Sequence, residues 1–183
     1  MGEPRLIVEL LSTVRLEHGD LVDELADGAG FEAWLHHHLP HVEYDANARR
    51  RVVSLRERVR DLLAAAVDGD PLPAEVIADL NRRAARSPVT LAARMSADGS
   101  ATVERVSSGS PAAQLDAEFA RSALTLAAGP DRRLLRRCRA PDCILFFLQQ
   151  DPRQHWCSPG CGNRARVARH RQRQAPTGGS ISG

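Results

Sequence analysis

The sequence predicts an α+β protein. A mostly helical N-terminal domain carries one β-hairpin, and a small cysteine-rich module follows, built from a β-hairpin and a C-terminal helix. Three observations carry this reading. Apolar residues recur at helical spacing through most of the first two thirds of the chain. Two short strand-like stretches bracket Asp98-Gly99, a hairpin turn signal. All four Cys of the 183 residues fall between positions 138 and 161. The expected division is a first domain over 1–129, a second over 130–174, and a Gly/Ser-rich disordered tail over 175–183.

Taken in order, residues 4–17 read as an amphipathic helix with Leu6, Ile7, Leu10, Leu11 and Val14 on its apolar face. A short helix over 29–39 surrounds Trp34. A longer one runs over about 45–67, from Asp45 to the stop signals Gly69 and Pro71, with Val52, Val53, Leu55, Val59, Leu62 and Leu63 on one side. Pro73 opens another helix to about Arg86, with Val76, Ile77 and Leu80 inward. Strands follow from Val89 to Arg94 and from Ala101 to Val106. Residues 112–128 return to helix around Leu115, Phe119, Leu124 and Leu126, and Gly129-Pro130 closes the domain.

The composition, 43% hydrophobic and 26% charged, is that of a globular protein. The net charge of +2 conceals a split. Residues 131–183 hold eleven Arg against three Asp, a net +8, which leaves the first 130 residues at −6. Such asymmetry points to a nucleic-acid or acidic partner for the basic part. No segment has the roughly 18–20 apolar residues of a membrane span. The N-terminus has no secretory pattern, so a cytoplasmic location is expected. No nucleophile elbow, P-loop or dinucleotide fingerprint occurs, so no enzyme is expected. His36, His37, His38 and His41 form a conspicuous group. Pro40 breaks the turn between them, and consecutive His point to different helix faces, so they read as a helix C-terminus rather than a metal site.

The cysteines fall in two close pairs, Cys138-Arg-Ala-Pro-Asp-Cys143 and Cys157-Ser-Pro-Gly-Cys161, with thirteen residues between. This is the spacing of a structural zinc site, in which two tight turns each supply two thiolates to one tetrahedral ion. Two disulfides or a redox pair are the alternatives; reduced surroundings and the lack of Cys-x-x-Cys weigh against them. Four Cys close the shell and leave no place for a catalytic water. His155 lies near enough in sequence to substitute for a ligand, but reads as a surface residue of a hairpin joining 144–148 to 154–156. Phe146, Phe147 and Trp156 read as cover for the metal rather than as base-stacking platforms.

After Cys161 the chain is helical to Pro176 and rich in Arg. At about 100° per residue, Arg166, Arg169 and Arg173 share one stripe with His170 beside it. Arg164, Val167 and Arg171 share another face, with Val167 marking it as the inward, docking side. The stripe suits phosphates. It equally suits the acidic N-terminal domain or another acidic protein surface.

Cys138-x4-Cys143, Trp156-Cys157-Ser158 and Cys161-Gly162-Asn163-Arg164, followed by Arg166 and Arg169-His170-Arg171, resemble the CGNR zinc finger. That finger forms the C-terminus of bacterial proteins described as stress-induced transcription regulators, whose N-terminal part is called the ABATE domain. Leu10-Leu11-Ser12-Thr13, Asp20-Leu21 and Trp34-Leu35 are similar to that domain, with Ser12 where the family has Asn. The resemblance implies a treble-clef-like four-cysteine finger that binds Zn2+ through Cys138, Cys143, Cys157 and Cys161. It also implies a DNA partner met by Arg166, Arg169, Arg173 and His170, with Asn163, Arg164, Val167, Arg171 and Trp156 in structural or docking roles. Homo-oligomerisation, and docking of the finger on the N-terminal domain, stay open at this point.

Overall fold

A computed structural model describes residues 3–40 and 42–174; the tail at 175–183 and His41 of the histidine group lie outside them. Helix α1 (Pro4–Ser12) starts with Pro in its first turn and buries Leu6, Ile7, Leu10 and Leu11. It stops short of the predicted end at residue 17. The Thr13 hydroxyl donates to the Leu10 carbonyl at 2.7 Å and competes with further helix. Beyond it, β1 (Val14–Glu17) and β2 (Asp20–Asp23) form a hairpin. His18 (φ 55°) and Gly19 (φ 99°) supply its two left-handed turn positions. Val14 and Leu16 alternate with Arg15 and Glu17, which is strand period as much as helix period, and the turn decides between them.

The remaining N-terminal elements agree with expectation in kind. Helix α2 (Gly28–His38) is capped by the Asp27 carboxylate, which accepts from the Gly30 N–H at 2.8 Å. Helix α3 (Ala48–Asp68) ends on Gly69 in the left-handed conformation, φ 80°. Helix α4 (Ala74–Ala85) is followed by the hairpin β3 (Val89–Met95) and β4 (Ala101–Ser107), then by α5 (Pro111–Ala128), capped by Ser110. A 3-10 turn (Pro130–Leu134) leads into β5 (Leu135–Arg137), β6 (Phe146–Leu148) and α6 (Pro159–Gln174). The three sheets are separate antiparallel pairs: β1 with β2, β3 with β4, β5 with β6. Among the described residues no helix is long and apolar enough to cross a membrane.

Helix α5 is the centre of the packing. It buries Leu115, Phe119, Ala120, Ala123 and Leu126 against α1, α3 and α4. Ser122 on α5 donates to the Glu3 carbonyl and accepts from the Ile7 N–H, tying down the start of α1. The same core takes Leu135 and Phe146 from the cysteine-rich part, 2% and 5% exposed. That part is therefore packed on the N-terminal helices.

The finger's hairpin differs from the expected pairing of 144–148 with 154–156. β6 pairs instead with β5, Leu135 opposite Leu148 and Arg137 opposite Phe146. The Cys138–Cys143 loop turns the chain back on itself, so the residues on its two sides become neighbours.

Arg56, on α3, is the largest fully buried side chain, 2% exposed. It donates to both Asp23 oxygens at 2.7 Å and to the Thr13 hydroxyl at 2.8 Å. The guanidinium thus joins α3 to the end of α1 and to the β1–β2 hairpin. Its hydrogen bond holds the Asp23 carboxyl below the usual carboxylate range. Between the folded and unfolded pKa the unfolded chain binds more protons, so this pair's contribution is full above the ordinary carboxylate value and fades as pH falls through the depressed one. Unfolding free energy measured from pH 6 downward should therefore fall through the carboxylate range, and less steeply in Asp23→Asn. Equal slopes in the two proteins would contradict the assignment.

Candidate metal centre

The first cysteine loop is shaped by its turn. Asp142 sits at φ 55°, a left-handed position that Asp tolerates, and the Cys143 N–H donates to the Ala140 carbonyl at 3.3 Å. The Cys138 N–H is held by the Leu145 carbonyl at 2.9 Å. Both sulfurs are thereby turned to the same side. The second pair lies at the start of α6. Ser158 accepts from the Cys161 N–H at 3.2 Å, and Pro159 takes the first helical position. The helix accordingly begins before Cys161, earlier than expected, and Ser-Pro was the signal that marked it.

The four sulfurs lie within 4.8 Å of one another. Cys157 and Cys161 are 3.5 Å apart, and Cys143 is 3.8 Å from each of them. Four thiolates at about 2.3 Å from one zinc ion sit about 3.8 Å from each other, the edge of the tetrahedron. None of the four Cys is disulfide-bonded, and these spacings are those of a shared ion rather than of S–S bonds. Among the described residues this is the one cluster of three or more metal-ligating groups. His36, His37 and His38 do not converge: the His38 ring packs against Trp34 at 4.4 Å and meets His37 edge-on.

The surroundings favour anionic sulfur on one side. Arg164 donates to the Cys161 sulfur at 3.0 Å and the Cys157 N–H to the Cys138 sulfur at 3.4 Å. Burial opposes ionisation of Cys161, yet bonds with Ser158, with the neighbouring thiols and with Arg164 bring it down to about 7. Burial pushes the Cys143 thiol up to about 11 and that of Cys157 up as well. Four crowded thiols without a cation resist carrying four charges, and a divalent ion is the group that relieves them.

Trp156 covers the site from the side. Its ring packs over Gly162, where a Cβ would meet it at 3.4 Å, in van der Waals contact. Trp156 and Phe147 cluster with Cys138, Ala140 and Cys161, as cover for the centre. His155 is exposed and outside any strand, and it makes no part of the sulfur cluster.

Helix α6 is oriented differently from expectation. Its buried face is Cys161, Gly162 and Ala165, with Ala168 half-buried. Val167 is 41% exposed and lies on the opposite side. The sulfur of Cys161 and the indole on Gly162 fix the rotation of the helix, and one Val cannot compete with them. Arg171 and Asn163 are consequently on the open side, and Arg164 reaches back to the metal centre rather than to a docking surface. Arg166, Arg169, His170 and Arg173 are exposed as expected. None of the Arg side chains on α6 makes an ion pair with a carboxylate among the described residues; Arg137 on β5 does, with Asp68 at 2.9 Å.

Sequence reasoning missed the Arg56–Asp23–Thr13 cluster, the bond from Arg164 to sulfur and the packing of Phe146 in the N-terminal core rather than over the metal. The first two have no periodic signature. Phe146 lay in plain view in an apolar run, but which core it would join depends on the fold.

Compared with known families, residues 4–130 match the model for ABATE, described as "Putative stress-induced transcription regulator", and residues 134–174 match the CGNR zinc finger. No curated protein matches the chain. Neither description is that of an enzyme, and a finger with four Cys placed to bind one ion fits Zn2+.

Proposed function

The chain belongs to the ABATE family and ends in a CGNR zinc finger, and from that premise we propose that it is a DNA-binding regulator. Zn2+ held by Cys138, Cys143, Cys157 and Cys161 fixes the first turn of α6, and α6 presents its Arg residues to the phosphate backbone. The observation that carries this reading is the open basic face. Arg166, Arg169 and Arg173, with His170 and Arg171 next to them, are exposed and free of carboxylates among the described residues. The acidic N-terminal domain, although packed against the finger, does not cover that face. A rigid cationic helix with unpaired guanidinium groups exchanges counterions for phosphates, and its affinity then depends steeply on salt. The N-terminal domain serves sensing or interaction.

The test is binding of random duplex DNA as a function of salt. Replacing Arg166 and Arg169 together by Ala should weaken binding equally for all sequences and flatten the log K against log salt slope by about 2. An unchanged slope would remove these two residues from the interface. Absence of any binding at low salt would favour an acidic protein surface as the partner of the finger.

A further inference from the structure

The β3–β4 hairpin stands apart from the rest of the fold. Its strands pair with each other over seven residues each, and nearly every side chain on them is exposed. Residues opposite one another in an antiparallel ladder share a face. The register sets Leu91 opposite Arg105, Ala93 opposite Val103 and Met95 opposite Ala101, so Leu91, Ala93, Met95, Ala101 and Val103 form one apolar face. The other face is more polar, with Thr90, Thr102 and an Arg94–Glu104 ion pair beside Ala92 and Val106. The apolar face is left in water along with the polar one: Leu91, Met95 and Val103 are 73%, 71% and 71% exposed.

We propose that this face is the self-complementary interface of a homodimer, two hairpins packing face to face across a twofold axis. Three properties select a second copy as the occupant. The patch carries one charged side chain, Arg105, set on this face opposite Leu91. Arg105 at its root turns to Glu118 on α5, 3.8 Å away, and Arg94 and Glu104 neutralise each other on the far side. No unpaired charge is left here for an acidic or basic partner to complement, and there is no aromatic ring for a base to stack on. Secondly, large side chains (Leu91, Met95, Val103) alternate with small ones (Ala93, Ala101), so the face can interdigitate with its own image at the roughly 10 Å spacing of packed sheets. Thirdly, the area is of the right order. Leu91, Met95 and Val103, each more than two thirds exposed, make a contiguous apolar patch on the order of a few hundred Å², the size of the largest patches on ordinary monomers, which are often functional. Doubled across the axis, it approaches the roughly 1,000 Å² that a specific interface needs. A free two-stranded hairpin is marginal in water, and the four-stranded sandwich is the state that stabilises it.

The inference is independent of DNA binding and is tested without DNA. Sedimentation velocity of the zinc-loaded full chain, between about 1 and 100 μM, covers the affinity expected of a small interface. The native chain should shift from monomer to dimer within that range. Leu91→Glu with Val103→Glu should remain monomeric throughout, with unchanged helical circular dichroism and zinc content. Leu91→Thr with Val103→Thr, which keeps strand propensity, should weaken dimerisation at least tenfold and serves if the charged pair fails to fold. A native chain that stays monomeric at the highest concentration overturns the proposal. So does a dimer that survives either folded double variant.

Discussion

A Cys157→Ser protein is expected to retain less than about a tenth of an equivalent of zinc after dialysis, where the native chain retains one. Structural zinc sites bind with roughly 10–16 kcal/mol, and that energy is folding energy for the module that supplies the ligands. Cys157 is 3.5 Å from Cys161 and 3.8 Å from Cys143, so its sulfur occupies a corner that Ser cannot fill with a comparable anion. Loss of a whole ligand should cost affinity by more than the roughly 10–100-fold typical of an outer hydrogen-bond partner. The consequence reaches the N-terminal helices, because Leu135 and Phe146 are buried in their core. Losing a buried Phe costs about 3–5 kcal/mol, so thermal unfolding of the remainder should shift downward as well. Full zinc occupancy in the variant would show that the ligand set is wrong. A normal zinc deficit with an unshifted melt would show that the finger folds independently of the body.

The second large effect is expected at Asp23. Removing its carboxylate by Asp23→Ala leaves the Arg56 guanidinium, 2% exposed, with the Thr13 hydroxyl and Glu57 as its remaining partners. Breaking one side of a buried ion pair costs about 3–5 kcal/mol; Asp23 is 28% exposed, which places this case at about 3. At roughly 2–4 °C per kcal/mol for a chain of this size, the melting temperature should drop by about 6–12 °C. Replacing both partners, Arg56→Leu with Asp23→Ala, should recover much of the loss, since no buried charge is then stranded. A single variant as stable as the native chain would mean that Arg56 finds other partners, and the double variant would then gain nothing.

The helices and the β3–β4 hairpin were legible because each is written locally. Asp98-Gly99 makes one turn, Gly69 ends α3, and Leu115 and Phe119 mark the inward side of α5. The four Cys were legible by spacing. What escaped was decided at a distance. Val14 and Leu16 join a hairpin because Thr13 stops α1 and His18-Gly19 turns the chain, not because their own spacing excludes a helix. β6 finds β5 rather than residues 154–156 because the cysteine loop brings them together. The rotation of α6 follows from the position of the Cys161 sulfur in the cluster and from Trp156 over Gly162, two constraints stronger than the lone Val167. The same rotation frees Arg171 and turns Arg164 toward sulfur, so the basic face is wider than the periodicity of Arg166, Arg169 and Arg173 alone implies.

Zinc, on this reading, holds α6 in the orientation in which its Arg residues meet DNA. The most direct test compares the affinity of the zinc-loaded and chelator-stripped chain for the same random duplex at the same low salt. Stripping the metal should weaken binding at least tenfold, and re-adding Zn2+ should restore it. Equal affinity with and without zinc, or no binding by the loaded protein, would contradict it.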